Sequence, residues 1–103
     1  MWAQLITMRI KPDRAGDIQQ IFDQLQAVEQ PDSGLLRTMT LQDQNDPTRI
    51  YTLVVFDSEE HARAREQDPR RQEGMKSVQA LMGELFEGAP EFVDLTVLAD
   101  VPA

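Results

Sequence analysis

The stretch Arg49-Ile50-Tyr51-Thr52-Leu53-Val54-Val55-Phe56, followed at once by Asp57-Ser58-Glu59-Glu60, decides the fold of this chain. Its β-branched and aromatic residues favour a strand. Ile50, Val54 and Phe56 alternate with Tyr51, Leu53 and Val55, so both faces are apolar and each needs a cover. Ser58 is placed to cap a helix whose first turn holds two acids facing the helix dipole.

Working upstream, Asp43 to Thr48 is polar, contains a proline and makes a hairpin loop. It joins the stretch to a second strand, Leu35 to Gln42, with Leu35, Arg37, Met39 and Leu41 on one face and Leu36, Thr38 and Thr40 on the other. Before it, Pro31-Asp32-Ser33-Gly34 is turn chemistry. From Asp13 onward, Ile18, Ile21, Phe22, Leu25 and Val28 recur at helical spacing, an amphipathic helix that ends before Pro31. Residues 2 to 10 form the first strand, stopped by Lys11-Pro12-Asp13.

Downstream, a short helix runs to about Gln67, and Asp68-Pro69 starts another. Its stripe is Met75, Val78, Leu81, Met82, Leu85 and Phe86, ending at Gly88-Ala89-Pro90, and a last strand covers Phe92 to Leu98. The order implies one α+β domain over residues 1–103, a ferredoxin-like βαββαβ unit with a four-stranded antiparallel sheet and helices on one face. The other face still needs a cover, and a second copy of the chain is the simplest one, giving a homodimer through its sheet faces.

A chain of 103 residues supports one core. The absence of cysteine removes disulfides, thiolate nucleophiles and thiolate metal sites. Ten basic against eighteen acidic side chains, a net charge of −8, oppose nucleic acid or an anionic membrane as partner. The N-terminal residues do not read as a signal peptide and no run approaches the ~20 apolar residues of a membrane span, so a cytoplasmic location is the default. Arg63, Arg65, Arg70 and Arg71 are interleaved with Glu59, Glu60, Glu66, Asp68 and Glu73, the pattern of a solvated helix face.

His61 is the one side chain whose ordinary pKa lies near neutrality, hence the one ready general base, although no Ser, Asp or Glu is placed by sequence to complete a triad with it. With a single histidine and scattered glycines, neither a metal site nor a phosphate loop is expected, and no cofactor. Polar residues within apolar strands are more informative, since burying each unpaired costs roughly 1 to 3 kcal/mol. Arg37 and Asp94 can neutralise each other; alternatively Arg37, Gln4 and Tyr51 point into a pocket between sheet and helices and orient a phenol or enolate. Trp2, Met8, Met39, Met75 and Met82 read as core, or as the wall of a cavity for a flat apolar molecule.

The run from Tyr51 to Pro69, with its Val54-Val55-Phe56 strand end, Asp57-Ser58-Glu59-Glu60 helix start and Asp68-Pro69 restart, resembles the antibiotic biosynthesis monooxygenase-like family of the dimeric α/β barrel group. The likeness extends over nearly the whole chain. It implies a dimeric barrel and an activity drawn from cofactor-independent oxygenases that make quinones from polycyclic phenols, from haem-degrading enzymes, or from members with no known activity. Two positions depart from the family pattern: Phe56 stands where Trp is frequent, and Arg65 where His is frequent. The second removes the iron ligand that haem degradation needs, because His61 lies one turn earlier.

The candidate set is therefore His61, Tyr51 and Arg37 for catalysis, with Gln4, Thr52, Phe56 and Arg65 as ligand contacts. The reaction the resemblance implies is monooxygenation of a small aromatic or polyketide-like compound without a cofactor. The rival readings are a non-catalytic dimeric module that binds a small apolar ligand or only assembles, and acidic helices that dock a protein partner.

Overall fold

The computed structural model describes all 103 residues, Met1–Ala103. Its strands are β1 (Trp2–Ile10), β2 (Leu35–Gln42), β3 (Arg49–Phe56) and β4 (Phe86–Thr96), and its helices α1 (Ile18–Val28), α2 (Glu59–Gln67) and α3 (Pro69–Leu85). The strands form one antiparallel sheet in the order β2-β3-β1-β4, the ferredoxin-like arrangement expected from the element order. No helix is long and apolar enough to cross a membrane.

Four boundaries differ from the sequence reading, one of them the end of the last strand, which closes at Thr96 and not at Leu98. A 3-10 turn, Pro12–Asp17, precedes α1, because the proline at its start and Gly16 within it leave the first regular turn to begin at Ile18. Helix α3 stops at Leu85 rather than at Gly88-Ala89-Pro90, and β4 begins directly at Phe86. Gly88-Ala89-Pro90 is instead a bulge within β4. Thr7 pairs with Glu91 and Arg9 with Glu87, so three residues of β4 face the single Met8 of β1. Gly88 supplies the positive φ of 69° that the kink requires, and Pro90, which lacks a ladder donor, is tolerated on this edge strand.

Strand alternation and register define the two faces. Trp2, Gln4, Ile6, Met8 and Ile10 of β1 share a face with Ile50, Thr52, Val54 and Phe56 of β3, and the helices pack there. That face carries two separate cores. Ile10, Ile21, Ile50, Leu85 and Phe86 form one under α1 and α3; Trp2, Val54, Phe56 and Ala62 form the other under α2. A row of Thr40, Thr52, Ile6 and Phe92 runs between them, with the two threonine hydroxyls 3.3 Å apart.

The opposite face carries Leu5, Met39, Leu41, Tyr51, Leu53, Val55, Val93 and Leu95 and has no cover within the chain. Leu41 and Val93 expose 45% and 48% of their surface. Leu35, expected beside Arg37 and Met39, is on the helix side. A bulge between Leu35 and Arg37 breaks the alternation, so that Leu35 pairs with Phe56 and packs against that core while Leu36 turns outward.

Candidate functional sites at the two ends of the sheet

The β4 bulge opens the first site. Where Gly88-Ala89-Pro90 leaves the ladder, a cavity of about 350 Å³ forms between the sheet and the last turns of α3. Met8, Met82, Phe86 and Pro90 give it an apolar wall, and Arg9 and Glu87 are its ionisable lining groups. Arg9 is partly committed, donating to Asp46 Oδ2 at 2.9 Å and Thr48 Oγ1 at 2.7 Å. Met8 and Met82 thus line a cavity, the less expected of their two sequence readings.

The second site is at the other end of β1, roughly 20 Å from Met8 at ~3.3 Å per strand residue. The turn after α1, the first turns of α2 and the start of α3 enclose about 210 Å³, lined by Glu29, Ser33, His61, Arg65, Arg70 and Arg71 among others. Ser58 caps α2 by accepting from the His61 amide at 3.1 Å, which fixes the His61 backbone. The His61 ring bonds through Nδ1 to Asp57 Oδ1 at 2.6 Å. The hydrogen bond from His61 holds the Asp57 carboxyl below its usual range. Gly34 makes room for this pair, since a Cβ there would lie 2.7 Å from Asp57 Oδ1 and 2.9 Å from His61 Nδ1.

Arg65 reaches across from α2 to Glu29, donating from Nε at 3.1 and 3.0 Å and from Nη2 at 2.5 Å. Its guanidinium also lies 5.1 Å from the centre of the Phe56 ring. Burial pushes the Glu29 carboxyl up, but the hydrogen bonds from Arg65 and the charges of Arg65 and Arg71 outweigh it, and the net shift is downward. The arginine cluster is therefore not one solvated face. Arg63 and Arg70 are exposed, while the side chains of Arg65 and Arg71 retain only 15% and 14% exposure.

The structure distributes the seven sequence candidates instead of gathering them. His61 and Arg65 line the second cavity, and Phe56 is buried beneath Arg65. Thr52 is buried and bonded to Thr40. Gln4 donates to Asp94 at 3.0 Å, and Asp94 accepts from Arg63 at 2.8 Å. Tyr51 and Arg37 lie on the open face, away from the helices, so neither enters a pocket between sheet and helices. Within one chain Arg37 cannot neutralise Asp94 either, because β2 and β4 are opposite edges of the sheet. Sequence reading missed Asp57, four residues before His61 across the helix cap, and the inward turn of Arg71. It also missed the bulge, for which the Gly-x-Pro spacing was the available signal.

A helix-covered antiparallel sheet of this order, with one bare apolar face, defines an α+β domain of the ferredoxin-like class. The antibiotic biosynthesis monooxygenase family model matches residues 1–77, and the chain belongs to that family. Solved structures of the same fold include a Nitrosomonas europaea protein assigned by name to the antibiotic biosynthesis monooxygenases (17% identity, 96% of this chain and 100% of that one, TM-score 0.75). A mutant of SnoaB, a cofactor-independent oxygenase from Streptomyces nogalater, is similar at 14% identity over 99% of this chain and 97% of that one, with TM-score 0.74. A conserved protein of Methanosarcina mazei follows at 12% identity, covering 92% and 91%, with TM-score 0.72. At these identities the likeness carries the fold alone. No protein of curated description matches the chain.

Proposed function

We propose that the chain is a cofactor-independent monooxygenase of a small aromatic or polyketide-like compound, held in the cavity at the β4 bulge, and that it works as a homodimer through its open sheet faces. The observation carrying this reading is the apolar cavity of about 350 Å³ walled by Met8, Met82 and Phe86, within the size of small-molecule sites. Family membership supports the reaction class. In such a reaction a base takes a proton from the substrate, the carbanion reduces oxygen and forms a hydroperoxide, and loss of water leaves a carbonyl. The protein supplies deprotonation, orientation and exclusion of water. Among the lining groups Glu87 is the available base and Arg9 the available partner of the developing oxyanion. Both are exposed and reach the cavity from its rim, since register sets them on the strand face opposite Met8 and Phe86. The bare face of Leu5, Met39, Leu53, Val55 and Val93 supports the dimer.

One observation favours a second reading, a small-ligand-binding module without catalysis: no side chain that ordinarily titrates near neutrality lines this cavity. Oxygen uptake with 1-naphthol and anthrone, alongside their equilibrium binding, separates the two. Catalysis predicts uptake that Glu87→Gln lowers without weakening binding, and Met82→Trp abolishing both. Saturable binding without uptake selects the module, and the absence of both rejects the cavity as a site.

A further inference from the structure

We infer that the second cavity, at the junction of α1, α2 and α3, binds a small oxyanion, a phosphate or carboxylate group, seated against Arg71 and the edge of Arg65. The argument is one of unused hydrogen-bond donors, since the three arginines on the lining are matched in charge by Glu29, Asp32 and Asp68, and it does not depend on the monooxygenase reading. Two inward-turned guanidinium groups share one carboxylate. Arg65 takes Glu29 with three hydrogen bonds, the bidentate arrangement that uses both carboxylate oxygens. Arg71 comes only to 3.7 Å from the same carboxylate, and its Nη1 is shut from solvent with no hydrogen-bond partner.

The other two carboxylates on the lining, Asp32 and Asp68, are engaged by Arg70. Asp68 accepts from Arg70 at 2.6 Å and caps α3 through the Arg70 amide at 2.9 Å. Asp32 faces Arg70 at 3.5 Å, and Glu66 faces Arg63 at 3.5 Å. Asp57 is held by His61. Glu29 therefore gives Arg71 a nearby charge at 3.7 Å but no hydrogen bond, and a buried charged donor without a hydrogen-bond partner is costly. Burial and the neighbouring Arg65 oppose the Arg71 charge by more than Glu29 and Glu66 favour it, and a bound anion would offset the difference. The cavity of 210 Å³ equals about seven waters at ~30 Å³ each, enough for a phosphate with a small organic remainder. His61 on the lining adds a ring whose Nδ1 is already fixed by Asp57. Since the chain carries −8 overall, attraction here is local and a built site is required to overcome the general repulsion of anions.

Calorimetric titration of the full chain with inorganic phosphate, and separately with acetate, at constant ionic strength tests the site. One saturable site per chain, with a dissociation constant of about 0.1 to 1 mM, is expected for one or the other probe. Arg71→Met should weaken it at least ~10-fold, and Glu29→Gln, which releases Arg65, should tighten it several-fold. Arg71→Lys keeps the charge but loses the planar fork; it serves if either variant fails to fold, and should fall between wild type and no binding. Preference for phosphate or for acetate tells which oxyanion the site takes. Absence of saturable binding of both up to ~10 mM, or wild-type affinity in the folded Arg71 variants, overturns the inference.

Discussion

Helix α3 contains two interior glycines, Gly74 and Gly83, for which helix propensity alone predicts the same outcome: replacement by Ala should stabilise by roughly 1 kcal/mol. The packing separates them. A Cβ on Gly74 would lie 2.6 Å from Val28 Cγ1 and 2.9 Å from Val28 Cβ, about 1 Å inside the ordinary carbon contact of ~3.5–4 Å. Val28 closes α1, whose contacts with α3 join the helix layer, so relief requires the two helices to separate. Overpacking of this kind costs roughly 1–3 kcal/mol, and against the propensity gain Gly74→Ala should destabilise by about 0.5–2 kcal/mol. Nothing lies within 4 Å of a Cβ at Gly83, so Gly83→Ala should keep the full gain. At ~4–8 °C per kcal/mol for a domain of this size, thermal melts at one protein concentration should move in opposite directions. Val28→Ala should recover part of the Gly74→Ala loss. A melting temperature that rises for Gly74→Ala in the wild-type background would refute the account of how α1 and α3 meet.

Glu29→Gln should destabilise by about 2–3 kcal/mol, because Arg65 and Arg71 then face each other without a carboxylate; unchanged denaturant midpoints would contradict it. The Glu29 carboxyl sits below its ordinary 4.5 in the folded chain, so its contribution is whole above that pH and disappears as the pH falls through the lower folded value. Wild type should accordingly lose stability more steeply than Glu29→Gln below pH 4.5. Leu53→Glu places a charge in the middle of the bare face, opposite Leu5 and Met39, and should turn the proposed dimer into a monomer by light scattering; an unmoved mass excludes that face as the interface. Ser58→Ala removes the hydroxyl that caps α2 and should cost about 1 kcal/mol, read from urea unfolding.

The architecture was legible because hydrophobic period and capping agree along the chain. Leu35–Gln42 alternates as a strand, Trp2–Ile10 and Arg49–Phe56 are apolar runs of strand length bounded by turn residues, and Ser58 and Asp68 cap helices where their side-chain oxygens stand. What failed was local. Gly88-Ala89-Pro90 carries the same residues that stop helices, and only the pairing of β4 with β1 shows that they kink a strand instead. Leu36 is an extra residue in β2 that no alternation rule anticipates. The candidate site was less legible, since a side chain's direction is decided by tertiary partners. Arg65 and Arg71 read as solvated beside their acidic neighbours, yet Glu29, 36 residues from Arg65 in sequence, draws them inward. Tyr51 and Arg37 read as pocket residues until register placed them on the uncovered face.

The two irregularities of the sheet fall on its two outermost strands, β2 and β4. An outermost strand with unbroken pairing groups is a template on which another molecule can extend the ladder, and repetition of that step makes a fibre. Here the additional residue at Leu36 interrupts one border, and Gly88 to Pro90, with a missing amide hydrogen, interrupts the other. The kink that opens the cavity also denies a straight border to a neighbouring molecule. Side-by-side polymerisation is thereby discouraged, which leaves the broad apolar surface for the proposed pairing of copies, where two molecules can satisfy each other and growth ends.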